Sequence, residues 1–274
     1  MHNLNIILQS LNLNVTKVST VTGGDINKAY CLHTDDGRYF IKVNNADDYP
    51  ALFEKEANGL IALKEATELT IPEVIAYGIE ANLQYLLLQW METGKPHSTT
   101  WEHFGSSLAK MHKQPQNSFG FGEDNYLGTY LQKNTFTDSW HEFYTAYRIL
   151  PMIALIADQG KIDNSTVTAA DNFCRQLSDI FPAEPPALIH GDLWSGNFIV
   201  QQSGKVALID PAVYYGHREM DIGMSKLFGG FAPGFYSSYN TTYPLEKGWE
   251  GRLPYTQLYP LLFHALAFSG HYVH

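Results

Sequence analysis

The sequence is poor in cysteine, in basic residues and in long apolar runs, and each shortage argues against a class of protein. It has 2 cysteines in 274 residues, Cys31 and Cys174. They lie far apart, fit no metal-site spacing and favour a reducing, cytoplasmic location. Acidic residues outnumber basic ones by 28 to 18, for a formal net charge of −10. Because an acidic chain repels nucleic-acid phosphates and anionic membrane surfaces, we expect neither as a main partner.

The apolar runs are all shorter than the roughly 20 residues that a membrane helix needs. The segment MHNLNIILQS (1–10) has neither the basic start nor the apolar core of a signal peptide. The chain length fits one large domain or two small ones. We therefore expect a globular protein without a membrane segment.

The first third of the chain is predicted to be rich in strands, with one main helix. Alternating and β-branched residues predict strands over 15–22, 30–33, 39–43 and 83–90. Apolar residues at helical spacing predict a helix over 51–66. The polar segment METGKPHSTT (91–100) contains Gly and Pro, so we place a boundary there between an N-terminal lobe (1–91) and a C-terminal lobe (92–274).

The rest of the chain is predicted to be mainly helical, with a small sheet. We predict helices around 101–111, 137–158 and 165–180 and from about residue 255, and strands over 187–189, 198–201 and 206–209. The predicted fold class is α+β, with a small β-rich N-terminal lobe and a larger helical C-terminal lobe.

The strongest functional signal is the segment HGDLWSGN (190–197), followed by ALID (207–210). A short apolar strand leads into a polar loop with Asp192 and, five residues later, Asn197; a second strand leads to Asp210. Phosphoryl transfer needs a carboxylate that orients the attacking hydroxyl and oxygen ligands that hold Mg²⁺ against the phosphates of ATP. We therefore predict a kinase with Asp192 as the catalytic base and with Asn197 and Asp210 as Mg²⁺ ligands.

The spacing from Asp192 to Asn197 is that of the protein-kinase catalytic loop H-R-D-x-x-x-x-N, with Gly191 in place of the arginine. By itself this spacing also fits a turn with an Asx cap. The flanking apolar strands and Asp210 favour the functional interpretation. His190 is predicted to stabilise the loop by hydrogen bonding.

Lys42 and Glu56 form a second predicted pair. Lys42 lies on a predicted strand, and Glu56 lies four residues from Leu52 and from Leu60, within the apolar stripe of the helix. A carboxylate there needs a partner, and a Lys–Glu pair orients the lysine onto ATP phosphates in kinases. The alternative is a lysine and a glutamate that both reach solvent independently.

Other candidates surround this core. Gly23 and Gly24 lie between two predicted strands, where small residues let backbone N–H groups approach phosphates, although an ordinary hairpin turn fits as well. Trp194 is placed either to stack on the apolar face of a sugar or to pack against the loop. His217 and Arg218 are predicted to touch substrate.

The segments HGDLWSGN and ALIDPAVYYGHREMDIGMSKLFGGF (207–231) resemble the fructosamine kinase, or ketosamine 3-kinase, family of the aminoglycoside-phosphotransferase-like group. FGFGEDNYLG (119–128) and LFEKEANGL (52–60) resemble that family's loop and first-lobe helix. The resemblance covers nearly the whole chain and implies a protein-kinase-like, two-lobed fold. It also implies that Gln89, Trp90 and Met91 form the hinge that reads adenine, and that Asp221 anchors the catalytic loop.

The resemblance implies the substrate as well. It is a ketosamine, free or protein-bound, phosphorylated on a sugar hydroxyl, typically the 3-hydroxyl, so that the adduct breaks down and the amine is repaired. Ribulosamines and erythrulosamines are expected over fructosamines. The alternatives are another small-molecule kinase, acting on an aminoglycoside, choline or homoserine, and a nucleotide-binding module without catalysis. Pro211-Ala212 replaces Phe-Gly after Asp210 and Asp221 follows soon, so we expect no long activation loop.

Overall fold

The computed structural model of the chain describes residues 2–22 and 27–268. The helices are α1 (His2–Ser10), α2 (Leu52–Ala66), α3 (Thr100–His112), α4 (Trp140–Tyr144), α5 (Leu150–Asp158), α6 (Asn164–Arg175), α7 (Leu177–Ile180), α8 (Glu219–Leu227), α9 (Pro233–Thr242) and α10 (Trp249–Phe268). The strands are β1 (Val15–Val21), β2 (Lys28–Thr34), β3 (Gly37–Asn45), β4 (Val74–Glu80), β5 (Leu83–Gln89), β6 (Asn125–Leu127), β7 (Tyr130–Gln132), β8 (Ala187–Ile189), β9 (Phe198–Val200), β10 (Val206–Leu208) and β11 (Tyr214–Gly216). Gly23 and Gly24, predicted to approach phosphates, lie outside the described residues.

The five strands β1 to β5 form one antiparallel sheet in the order β1-β2-β3-β5-β4. Side chains alternate between its faces. Ile41 and Val43 of β3 pack with Ile7 of α1 on one face. Lys42, between them, therefore points to the other face, where Leu86 of β5 and Phe53 of α2 belong to the core.

The rest of the chain is mainly helical. Helix α3 packs on α9 through Phe104, Phe235 and Tyr239. Helices α4 and α5 are joined without a break by a π-helical segment, Thr145–Ile149. Two short antiparallel sheets, β9–β10 and β8–β11, hold the segments that contain the predicted catalytic groups. Within the described residues, no helix combines the length and apolar character that a membrane crossing requires.

Several elements are absent from the sequence prediction. They are α1, β4, β6, β7, β11, α8 and α9. The outer face of β4 carries Ile75, Tyr77 and Ile79, which are 43%, 42% and 60% exposed. With apolar residues on both faces, this strand lacks the apolar–polar alternation by which half-buried strands are recognised.

Candidate active site

A cavity of about 450 Å³ lies between the five-stranded sheet with α2 and the loops and short strands of the C-terminal part of the chain. Most of the predicted site residues line it, although they come from distant parts of the chain. The predicted residues that line it are Lys42, Glu56, Gln89, Trp90, Met91, Asp192, Trp194, Asn197 and Asp210. The cavity is therefore the candidate active site.

Lys42 forms two ion pairs at the back of this cleft. Its Nζ atom lies 2.8 Å from Oε1 of Glu56 and 2.7 Å from Oδ1 of Asp210. The side chains of Lys42 and Glu56 are only 8% and 11% exposed, whereas that of Asp210 is 43% exposed. Burial lowers the pKa of Lys42, but Asp210 and Glu56 together outweigh it and raise the pKa, so the lysine stays charged. The structure thus brings the predicted pair together and adds Asp210 to it.

Asp192 and Asn197 are joined within their loop. The Nδ2 atom of Asn197 donates to Oδ2 of Asp192 at 2.7 Å and to its main-chain oxygen at 2.9 Å. Burial, together with the nearby charges of Asp210 and Asp221, raises the pKa of Asp192 to about 7, even though the hydrogen bond from Asn197 lowers it. A carboxylate with this pKa is suited to accept a proton near neutral pH.

Gly191 explains why this loop lacks the arginine of protein kinases. Its φ is +81°, in the left-handed region, and a Cβ atom would lie 2.1 Å from the main-chain oxygen of Ala212. Both the backbone conformation and the space admit only glycine. The close approach accompanies a hydrogen bond from the Ala212 N–H to the oxygen of His190, at 2.9 Å.

Asp221 anchors the start of the loop, as predicted. Its carboxylate accepts hydrogen bonds from the main-chain N–H groups of His190 at 2.7 Å and Gly191 at 3.0 Å. The buried side chain of His112 lies 3.2 Å from the same carboxylate. Nε2 of His190 lies 2.9 Å from the oxygen of Ile209, so this histidine stabilises the loop as predicted.

The oxygen atoms of Asn197 and Asp210 fit a Mg²⁺ ion held together with phosphates. The side-chain nitrogen of Asn197 donates both of its hydrogen bonds to Asp192, and among the described residues its Oδ1 atom accepts none, which leaves this oxygen for a cation. Within the described residues, no group of three or more His, Cys, Asp or Glu is placed to hold a metal ion. Mg²⁺ typically uses one or two protein ligands and completes its shell with substrate phosphates and water, which matches this sparse set.

The predicted hinge follows β5 at the edge of the cleft. The N–H of Gln89 donates to the oxygen of Glu73 at 2.9 Å. Among the described residues, no hydrogen bond is made by the main-chain N–H of Met91, which lines the cleft. The ring of Trp90 packs 6.5 Å from that of Phe40. An adenine edge could therefore bind the backbone here without displacing an existing bond.

Trp194 packs against the loop, which is one of the two alternatives that the sequence leaves open, and its stacking on a sugar stays a prediction. Its indole lies against the loop, since a Cβ atom on Gly196 would come within 2.4 Å of the ring. The ring also contacts Phe228 edge-on, with centroids 5.7 Å apart, and lines the cleft. A sugar in the cleft could meet an aromatic surface that is already held in place.

His217 and Arg218 do not line the cleft, and this placement corrects their predicted contact with substrate. Arg218 forms a two-point ion pair with Glu184, both distances being 2.7 Å, and donates to the main-chain oxygens of Tyr243 and Pro244. The fully buried His217 ring packs on Trp140 and Phe181. Both residues stabilise the fold.

The loop 119–128 supplies cleft residues to which the sequence assigned no role. Asn125, Tyr126 and Gly128 line the cleft, together with Lys55 of α2. The sequence signals were the resemblance of 119–128 to a loop of the family and the polar cluster Glu123-Asp124-Asn125, and neither indicated a role for a particular residue. Its contacts are long-range, so the sequence pattern did not reveal them.

Solved structures share this architecture. A Thermobifida fusca structure named for fructosamine-3-kinase has a TM-score of 0.85 at 35% identity, covering 95% of this chain and 91% of its own. One from Haemophilus somnus with the same name has a TM-score of 0.87 at 27% identity, covering 98% and 92%. An aminoglycoside phosphotransferase, at 15% identity and a TM-score of 0.66, shares the fold over 98% and 95%. The chain therefore has the predicted α+β, two-lobed fold of the protein-kinase-like class.

Sequence relatives identify the family within this class. An Enterococcus faecium protein named a ketoamine kinase is 40% identical over 97% of this chain and 94% of its own. The protein-ribulosamine 3-kinase of Arabidopsis thaliana chloroplasts is 34% identical over 97% and 82%. The profile of the fructosamine kinase family matches residues 5–274, and the chain belongs to that family. The predicted family is confirmed, and with it the predicted class of ATP-dependent kinase.

Proposed function

We propose that this protein phosphorylates a sugar hydroxyl, typically the 3-hydroxyl, of ketosamines. The observation that carries the proposal is the position of Asp192 in the cleft, joined to Asn197 and facing the same cavity as Lys42 and Asp210. Family membership supports the ketosamine acceptor, since relatives are named ketoamine kinase and protein-ribulosamine 3-kinase.

In this proposal ATP lies between the lobes, with its adenine at the main chain of Gln89 and Met91. Lys42, oriented by Glu56, binds the phosphates. The carboxylate of Asp192 accepts the proton of the sugar hydroxyl as that oxygen attacks the γ-phosphorus atom, and ADP leaves in line. The amide of Asn197 holds Asp192 in the orientation that this proton transfer needs.

Asn197 and Asp210 would hold Mg²⁺, whose charge would stabilise the phosphate oxygens during transfer. The remaining steps rely on groups of the chain itself. Lys42 supplies a fixed positive charge, and Trp194 supplies an aromatic surface for the sugar.

We also propose that the lobe boundary follows Met91 and that the protein acts in the cytoplasm. The five-stranded sheet and α2 end before this boundary, and the catalytic loop lies after it. Both cysteines are free and buried, which fits a reducing compartment.

A substrate panel tests the proposal. Purified protein would be given MgATP with a ribulosamine, an erythrulosamine, a fructosamine, an aminoglycoside, choline or homoserine, and both ADP and phosphorylated product would be measured. We expect turnover with ketosamines, highest with ribulosamine or erythrulosamine. Turnover with only an aminoglycoside, choline or homoserine would refute the ketosamine assignment, and ATP binding without any turnover would favour a non-catalytic module.

A further inference from the structure

A second ion pair, adjacent to Glu56, joins helix α2 to the C-terminal part of the chain. Oε2 of Glu123 lies 2.5 Å from Nζ of Lys55, and Oε1 of Glu123 accepts a hydrogen bond from Nδ2 of Asn58 at 2.8 Å. Lys55 and Asn58 are three residues apart and so lie on one side of α2. The side chains of Glu123 and Lys55 are 24% and 23% exposed, so solvent weakens this pair less than one at the open surface.

The segment that carries Glu123 is fixed to the helical core. Nδ2 of Asn134 donates to the main-chain oxygen of Glu123 at 3.0 Å. Oδ1 of Asn134 in turn accepts from Nη2 of the fully buried Arg148 at 2.6 Å. Nδ2 of Asn125 donates to the oxygen of Val213 at 2.7 Å, shortly after Asp210 along the chain. The segment of Glu123 is thus fixed to the same part of the chain that carries the catalytic groups.

The same segment continues into the cleft. Asn125 and Tyr126 line the cavity, and the Tyr126 hydroxyl donates to the oxygen of Pro50, just before α2, at 3.0 Å. Residues 123–126 therefore contact both the start of α2 and its first two turns. A molecule that binds at Asn125 or Tyr126 would contact the segment 123–126, which holds α2.

We propose that Glu123 is a positioning residue that holds α2 against the C-terminal lobe, so that Glu56 meets Lys42 without any modification of the chain; this rests on the proposed kinase function. The Lys–Glu pair of a kinase forms only when the helix that carries the glutamate lies close to the strand that carries the lysine. Protein kinases control the position of that helix through a phosphorylated loop. Here a carboxylate of the loop 119–128 takes that place. Glu123 acts through α2 and touches no reacting group.

Three variants of the full chain test this inference. Glu123→Ala removes both contacts. Asn58→Asp sets a like charge against Glu123 from the side of the helix. Glu123→Gln keeps both hydrogen bonds if Asn58 turns its carboxamide over, and loses only the charge. Lys133→Ala is the matched control, because it removes the exposed pair with Asp124, 2.6 Å apart in the same loop region, which does not reach α2.

Two measurements separate positioning from a general loss of stability. We expect kcat at saturating substrates to fall at least about tenfold in Glu123→Ala and Asn58→Asp, since small misplacements of catalytic groups cost up to about 10²-fold. Glu123→Gln should recover a large part, and Lys133→Ala should match wild type. Amide hydrogen exchange over residues 52–66, measured without acceptor, should accelerate in the first two variants and not in the control.

Wild-type turnover and wild-type exchange of α2 in Glu123→Ala would overturn the inference, as would a loss of turnover with α2 exchange unchanged. If Glu123→Ala does not fold, Asn58→Asp supplies the same comparison. The exchange measurement needs no acceptor, so it tests the role of Glu123 even if wild type phosphorylates no ketosamine. That last result would refute the proposed function alone.

Discussion

Lys42 and Asp210 are 168 residues apart in sequence, yet the Nζ atom of the first lies 2.7 Å from Oδ1 of the second. This ion pair crosses between the sheet and the catalytic groups and places a cation between two carboxylates. Without the lysine, Glu56 and Asp210 would face each other as uncompensated acids.

Replacement of Lys42 by methionine should therefore lower kcat/KM by on the order of 10²–10³-fold, the usual cost of removing a fixed charge that stabilises a transition state. Steady-state kinetics with varied ATP would measure it. Lys17→Met, an exposed lysine on β1 that does not line the cleft, is the matched control. Similar activity in the two variants would show that Lys42 does not bind the phosphates.

Asp192 should give the enzyme an acid limb in its pH profile. Its pKa is raised to about 7, mainly by burial, and only the carboxylate can accept the hydroxyl proton. As the pH falls through about 7 the protonated, inactive form accumulates, so kcat/KM should fall with it. A profile that stays flat down to pH values near the ordinary pKa of aspartate, about 4, would contradict this role.

Asp192→Asn should lower kcat by about 10²–10⁴-fold, the usual contribution of a general base. Its affinity for ADP should stay close to that of wild type, because the loop keeps its hydrogen bonds to Asp221. Calorimetry would give the affinity, and single-turnover kinetics would give the transfer rate. Near-normal transfer in this variant would rule out Asp192 as the base.

Gly191→Ala should displace the catalytic loop. A methyl group there would lie 2.1 Å from the Ala212 oxygen, and φ of +81° is unfavourable for alanine. A shift of about 1 Å at the reacting groups costs about 10²-fold in rate, so we expect a loss of that order. Gly251→Ala, in α10 with open space around it, is the control and should leave turnover unchanged. Equal kinetics for the two variants would show that the loop tolerates the side chain.

Arg218→Met should destabilise the fold by about 3–5 kcal/mol, because it leaves the buried Glu184 without its partner. Burial raises the pKa of Glu184, but Arg218 and its neighbours outweigh this and lower it. The pair therefore contributes stability above the unfolded pKa of glutamate, and that stability is lost as the pH falls through the lowered folded value.

Urea unfolding at neutral and acidic pH would measure this loss. The double variant Arg218→Met/Glu184→Gln should recover part of it, since no charge then remains buried alone. The KM for acceptor should not change in the folded fraction. A raised KM with unchanged stability would restore Arg218 to the acceptor site.

The sequence predicted the elements whose pattern is local. Helical spacing placed Glu56 on the buried face of α2, and the need of a buried carboxylate for a partner predicted its pair with Lys42 on a strand. The spacing of Asp192 and Asn197 predicted their loop, although its role remains a prediction. These features need only neighbours along the chain.

Features that depend on distant residues were missed or misjudged. Arginine side chains are mostly exposed in proteins, and the burial of Arg218 depends on its ion pair with Glu184, 34 positions earlier. Glu123 meets Lys55 at a separation of 68 positions. No periodicity in one sequence records such a partner, because the partner is determined by how distant segments of the chain pack together.

Beyond Asp210 the chain passes directly into β11, which pairs with β8, and then into α8. A stretch fixed in a sheet offers no loose loop for another enzyme to modify, and Lys42 already meets Glu56. In residues 2–22 and 27–268, the Lys42–Glu56 pair is therefore formed without a phosphorylated loop of the kind that protein kinases use. Its turnover would then follow the amounts of enzyme and acceptor, without a modification of this stretch.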